Sequence, residues 1–358
     1  MKQSQKKYKR IVIKIGSSLF YNEGRLDLLR FFEGLSQLAE LIKTENKEVV
    51  IVSSGAIALG MDLMKLPNRP KQLPLLQAAA AVGQNELMDN YRRYFKRYAL
   101  NCAQVLLTWD DFGSRQRYLN AKNTLLALLK LGCIPVVNEN DTISTDEIKF
   151  GDNDRLSALV AKLVEAELLV ILSDVDGLLD RNNRVIPIVD EINAEIKSLA
   201  RPAKKRTCVG GMATKIEAAK IAIDSGIPCV IANGSREHLG RVIFSAVISP
   251  EKAGTLFVSK KSLSAKEHWI AFATLAKGKI IVDHGARQAL LNNKSLLSVG
   301  VLAVEGNFES GDIVGISDSQ HIEFARGKST LSSRELEKVK GRRSEKEAIH
   351  RDNIVITL

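Results

Sequence analysis

Val136-Val-Asn-Glu-Asn-Asp141 closes an apolar run on a string of amides and carboxylates. Phe150-Gly-Asp-Asn-Asp154 then sets a second acidic group just ahead of a helical pattern over 155–164. Acids that follow a buried strand do not serve packing, because burying one unpaired costs several kcal/mol. They are tolerated where something cationic meets them: an ammonium group, a lysine or a metal-bound phosphate.

Outward from that stretch the same alternation repeats. Short apolar, β-branched runs fall at 11–15, 49–52, 105–107, 134–137, 168–172 and 229–231, separated by helical spacing at 26–43, 75–98, 118–131, 156–164 and 214–224. Nearly all-apolar strands alternating with helices predict an α/β fold, a mainly parallel sheet sandwiched by helices. In such sheets ligands gather at the carboxyl ends of the strands. Gly16-Ser-Ser18, Ser53-Ser-Gly55, Asn138–Asp141 and Ser173-Asp174 occupy those ends. Pro, Gly, Lys and Ser accumulate around 249–268, and beyond them short strand-like runs at 279–282, 300–304, 313–316 and 354–356 predict a small β-rich module. The expected division is 1–255, a linker at 256–270, and 271–358.

Composition narrows the function. The 358 residues are 45% hydrophobic and 26% charged, ordinary for a soluble protein. There is no apolar run of about 18 residues that would span a membrane. The basic start, residues 1–10, lacks the pattern of a signal peptide, so the expected compartment is the cytoplasm. Cys102, Cys133, Cys208 and Cys229 form no Cys-x-x-Cys pair, which favours structural thiols over disulfides or zinc ligands. The formal charge of +11 invites a nucleic-acid reading, but from residue 266 onward there are 14 Lys/Arg against 12 Asp/Glu, a net of +2. That near balance gives the C-terminal module little drive toward a polyanion such as RNA. All five histidines lie at or beyond His238. Any chemistry in the first 237 residues therefore proceeds without imidazole.

Individually the motifs are ambiguous. Lys14-Ile-Gly-Ser-Ser18 puts a lysine beside a glycine turn that phosphate can approach, yet alone it reads better as a snorkelling surface lysine. Ser53-Ser-Gly-Ala-Ile57 fits a ligand turn or a plain strand-to-helix turn. Ser173-Asp-Val-Asp-Gly177 ends the most apolar strand. Gly210-Gly-Met-Ala-Thr-Lys215 opens a helix whose free N–H groups and dipole favour an anion, with Lys215 in its first turn. Together, two lysines, glycine turns and carboxylates without histidine point to phosphoryl transfer, which needs positioning and charge neutralisation. A carboxylate acceptor suits it, being already deprotonated.

Taken in order, Lys14-Ile-Gly-Ser-Ser, Ser53-Ser-Gly-Ala-Ile, Leu119-Asn-Ala-Lys-Asn-Thr124, Asn138-Glu-Asn-Asp141, Phe150-Gly-Asp-Asn-Asp154, Ser173-Asp-Val-Asp-Gly177 and Gly210-Gly-Met-Ala-Thr-Lys215 resemble the amino acid kinase family, and within it the glutamate 5-kinases. The segments 278–286, 295–301 and 306–312 are similar to the PUA module appended to many of them. One departure is Cys208-Val209, where the family usually has Gly-Thr. The resemblance implies ATP-dependent phosphorylation of the glutamate side-chain carboxylate. It implies that Lys14 and Lys215 neutralise the transferring phosphoryl group and that Asp154 orients them. Ser54, Asp141 and Asn153 are implied to hold glutamate, with Asp141 on its ammonium. Lys14, Ser173, Asp174, Gly210, Gly211, Met212, Ala213, Thr214 and Lys215 are implied to contact ATP, and Mg2+ to be carried by the phosphates with no assigned protein ligand. Inhibition by proline, a homo-oligomer (dimer or tetramer) and association with glutamate-semialdehyde dehydrogenase are further implications. Sister kinases acting on N-acetylglutamate, aspartate or a nucleoside monophosphate would share the fold and both lysines.

Overall fold

A computed structural model describes residues 8–22, 25–143, 152–200, 211–235, 239–259, 270, 276–342, 344 and 346–357. The chain divides into two compact units: the first covers Met1–Asp111 and Gln116–Ser262, the second Leu263–Leu358 with Phe112–Arg115.

The first unit is built on eight strands: β1 Arg10–Ile15, β2 Glu48–Ser53, β3 Asn101–Leu107, β4 Cys133–Glu139, β5 Leu168–Ser173, β6 Ile188–Val189, β7 Cys229–Asn233 and β8 Gly254–Phe257. They lie in the order β3-β4-β2-β1-β5-β7-β8-β6. The six strands from β3 to β7 in that order run parallel, and β8 pairs antiparallel to β7. Successive residues of a strand face opposite sides. Ile11, Ile13 and Ile15 join Val49, Ile51, Leu168, Val170 and Leu172 in a core cluster that includes Phe31, Phe32, Tyr91 and Phe95. Val12, Val50, Val52, Leu169 and Ile171 point the other way and are equally buried. On the sheet pack the helices Asp152–Leu163 and Met212–Asp224, which also pack on each other. A strand apolar on both faces is what a covered parallel sheet requires, so the α/β expectation holds.

Two expectations change. The pattern over 26–43 forms two helices, Leu28–Glu33 and Ser36–Thr44, parted at Gly34–Leu35. The sheet also runs past 255, because β8 ends at Phe257. Part of the stretch taken for a linker is thus a strand. Its Pro and Gly initiate a helical turn, Pro250–Ala253, and the strand itself.

The second unit has its own five-stranded sheet: β9 Gly278–Val282, β10 Val301–Gly306, β11 Ile313–Ser317, β12 Glu323–Lys328 and β13 Ile354–Ile356, ordered β10-β9-β11-β12-β13. Only β9 and β11 pair in parallel. Ile280, Val282, Val314, Ile316, Phe324, Leu336 and Ile349 form its core. No described helix is long and apolar enough to cross a membrane.

Candidate active site

The register of the sheet brings the strand ends together. Ile15 lies beside both Ser53 and Leu172, Leu107 beside Glu139, and Ser173 beside Asn233. The polar turns that follow β1, β2, β4 and β5 therefore open onto one edge.

Lys14 sits one residue from the end of β1, on the face opposite its isoleucine neighbours. Its Nζ is 2.6 Å from Asp154 Oδ1. Lys215 Nζ reaches the other oxygen, Oδ2, at 3.2 Å, and the Thr214 hydroxyl donates to that oxygen at 2.8 Å. Relative exposure is 5% for each lysine and 1% for Asp154. These are not surface lysines snorkelling past a turn, as either motif alone allowed.

Three buried ionisable groups would be untenable apart. Burial works against ionised Asp154, but Lys14 and Lys215 outweigh it and hold the carboxyl below the usual carboxylate range. Asp154 also lies in the first turn of the helix Asp152–Leu163, where the dipole favours an anion. Lys14 is pushed below the ordinary lysine range by burial, with Asp154 opposing and Lys215 adding to the effect. One carboxylate between two ammonium groups leaves an excess positive charge, so the cluster is complete only with a further anion.

The helix Met212–Asp224 presents its N-terminus at the same place. Gly211 is its N-cap and supplies no side-chain cap. Thr214 Oγ1 bonds both Asp154 and the Gly211 carbonyl, which ties the helix start to the carboxylate. First-turn N–H groups without a side-chain cap are a ready anion site. Across the edge Ser173 is buried, its hydroxyl donating to Asp174 at 3.1 Å, and the Asp174 charge acts on Lys14. Gly210 and Cys208-Val209 lie outside the described residues, as do Phe150 and Gly151.

A second cluster lies beside the first. Asn153 Nδ2 is 3.0 Å from Ser54 Oγ, 3.1 Å from the Ser53 carbonyl and 2.9 Å from Asn138 Oδ1. Ser54 is held by its N–H to the Ile15 carbonyl, and the Ser53 hydroxyl bonds Tyr91 in the core. Gly55 follows with φ +106°, and a Cβ there would fall 2.2 Å from the Phe20 ring, so only glycine makes this turn. Asp141 lies in the turn after β4. Burial raises its carboxyl to about 6, with Arg69 pulling the other way.

The fold thus gathers Lys14, Asp154, Thr214 and Lys215 in one network, and Ser54 with Asn153 in another joined to it through adjacent residues of one helix. Three partners escaped the sequence reading. Asn138 was within a quoted motif without a role, Thr214 was given to the nucleotide alone, and Gln84, which bonds Asn138, carries no motif at all. No group of three or more His, Cys, Asp or Glu among the described residues is placed to hold a metal.

Residues 9–233 match the amino acid kinase family and residues 278–350 the PUA domain. Over nearly the whole chain the sequence is similar to curated glutamate 5-kinases. That of Carboxydothermus hydrogenoformans is 46% identical across 99% of this chain and 100% of its own. That of Citrifermentans bemidjiense is 46% identical across 99% of each, and that of Thermoanaerobacter sp. strain X514 is 43% identical across 97% of each. With a match of this extent, the chain belongs to the amino acid kinase family and carries a PUA domain.

Proposed function

We infer that this chain transfers the γ-phosphoryl group of ATP to the side-chain carboxylate of L-glutamate, giving L-glutamyl 5-phosphate, the first step of proline biosynthesis. The observation that carries the mechanism is the pair of buried lysines on one carboxylate, in a unit whose first 237 residues hold no histidine.

A carboxylate oxygen of glutamate forms a bond to the γ-phosphorus as the bond to the β–γ bridging oxygen breaks, and ADP leaves with that electron pair. The nucleophile has no proton to lose, so no general base is required. The obstacle is repulsion between two anions. Lys14 and Lys215 neutralise the phosphoryl oxygens in a partly desolvated site, where charge acts more strongly than in water. Asp154 fixes both ammonium groups before substrate arrives, so little reorganisation remains. Gly210, Gly211, Met212, Ala213 and Thr214, with Ser173 and Asp174, contact the nucleotide. Ser54, Asn153 and Asp141 hold glutamate, Asp141 facing its ammonium.

Mg2+ carried on the nucleotide phosphates would supply further charge neutralisation there. Asp154 is committed to two lysines, and no protein ligand is assigned to the ion; this chain's part is to position the phosphates. The resemblance to glutamate 5-kinases also carries feedback inhibition by proline, a dimer or tetramer, a cytoplasmic location and association with glutamate-semialdehyde dehydrogenase. Proline titration of turnover, light scattering and co-sedimentation with that dehydrogenase test the first, second and last of these.

Trapping with hydroxylamine tests the reaction itself. Glutamate, ATP and the chain should yield glutamyl hydroxamate in step with ADP. ADP release without hydroxamate, or equal turnover with N-acetylglutamate or aspartate, rejects the assignment.

A further inference from the structure

A line of side-chain amides leads from the helix Leu73–Lys96 to the substrate cluster. Gln84 Nε2 donates to Gln104 Oε1 at 3.2 Å. Asn138 Nδ2 donates to Gln84 Oε1 at 2.8 Å, and Asn153 Nδ2 donates to Asn138 Oδ1 at 2.9 Å. Asn138 is 2% exposed, and its Oδ1 also accepts from the Glu139 N–H at 2.9 Å. Every amide in the line points the same way, nitrogen toward the neighbour nearer the surface. The last carbonyl, Asn153 Oδ1, is buried and has no hydrogen-bond partner.

The direction of the line is fixed by what surrounds it. Turning Asn153 over would press its oxygen against the Ser53 carbonyl and Asn138 Oδ1, both acceptors. Turning Asn138 over would set its nitrogen against the Glu139 N–H and its oxygen against Gln84 Oε1. Gln84 closes the chain of constraints, since its carbonyl gives the buried Asn138 amide its outer acceptor. Backbone packing brings Gln84 there. A Cβ on the neighbouring Gly83 would lie 1.8 Å from the Ala56 carbonyl, and one on Gly60 1.8 Å from that of Ala79, so this helix crosses the helix Ala56–Leu63 at direct backbone contact. Aligned amides polarise one another, which makes the terminal oxygen a better acceptor.

We propose that Gln84 is a positioning residue for substrate recognition: through Asn138 it holds Asn153 so that a carbonyl oxygen, and not an N–H, meets the substrate. The group recognised is therefore a hydrogen-bond donor. This rests on the glutamate reading above, and glutamate at neutral pH has one donor, its α-ammonium. Asp141 balances that group's charge, while Asn153 takes one of its three hydrogens. The line thus selects an amino acid with a free amino group.

Hydroxamate kinetics with glutamate and ATP varied separately, together with thermal midpoints, test this on the full chain. For Gln84→Met the glutamate KM rises about fivefold, while kcat and the ATP KM stay within twofold. Gln84→Glu, whose carboxylate still accepts from Asn138, restores the glutamate KM to the wild-type value or below; a merely structural role would not distinguish the two variants. If Gln84→Met does not fold, Gln84→Ala takes its place with the same expected result. An unchanged glutamate KM in the variant lacking the amide, an equal rise in the ATP KM, or a Gln84→Glu variant as impaired as Gln84→Met overturns the proposal while leaving the glutamate reading intact. A folded wild-type chain that fails to phosphorylate glutamate removes both.

Discussion

The two units bury polar groups in opposite ways. Among the described residues of the first unit the buried side chains of the charged types are Lys14, Lys47, Glu139, Asp154 and Lys215. In the second unit the buried polar residues are serines: Ser298, Ser317, Ser329 and Ser333. A buried charge is costly unless paired and hydrogen-bonded. The second unit follows the ordinary economy of a packed domain. The first departs from it chiefly at the carboxyl ends of the strands, where Lys14, Glu139, Asp154 and Lys215 lie, while Lys47 is buried at the other edge against the Tyr8 carbonyl. The proposed phosphoryl transfer would use that charge kept out of water.

Substitutions sharpen or break this contrast. The largest effect belongs to Asp154→Ala, which leaves two buried ammonium groups without their carboxylate. It should cost about 3–5 kcal/mol of stability in urea unfolding and abolish turnover. The linkage sign follows from the lowered pKa: Asp154 stabilises the fold above roughly pH 4, the unfolded value, and that contribution disappears as pH falls through the lower folded value. Asp154→Asn should flatten this component of acid unfolding. An unaltered acid transition would show that the ion triad contributes nothing to folding.

Next comes Lys14→Ala, expected to lower kcat roughly a hundredfold by loss of one preorganised electrostatic contact, with a smaller effect on the glutamate KM. Asp141→Asn should raise the glutamate KM about tenfold, within the range for charge-assisted contacts, and leave the ATP KM alone. Because Asp141 titrates near 6, kcat/KM for glutamate in the wild type should fall as pH drops below about 6, where the carboxyl takes up a proton. The Asn variant should lose that limb of the profile. The smallest effect is expected in the second unit, where Lys294 and Arg351 line a cavity with Asp283 and His350: Lys294→Ala and Arg351→Ala, alone or together, should leave glutamate phosphorylation within twofold. A large kinetic change there would erase the distinction between the units.

How much was legible in the sequence follows the same physics. β4 and β5 were readable because almost every residue is apolar, the signature of a strand covered on both faces. β12, Glu-Phe-Ala-Arg-Gly-Lys, was not, because its strand identity rests on buried Phe324 and Ala325 among charged neighbours. The strand β8 hid in a Pro- and Gly-containing stretch whose turn residues resemble a linker. Lys14, Asp154 and Lys215 could each be picked out, and the resemblance implied that Asp154 orients both lysines, but the residues alone did not reveal the contact. Lys215 and Asp154 are 61 residues apart and are joined by the packing of the helices Asp152–Leu163 and Met212–Asp224 on each other. Gln84 was invisible. It lies on a helix whose spacing reports burial, and one amide at a face boundary carries no periodic signal.

The most direct test is hydroxamate formation from glutamate and ATP by Lys215→Ala, with its thermal midpoint measured alongside. Asp154 keeps Lys14 as a partner in this variant, so the fold should persist while kcat falls at least roughly a hundredfold. A folded Lys215→Ala chain turning over within a few-fold of wild type would contradict the claim that the paired lysines drive phosphoryl transfer.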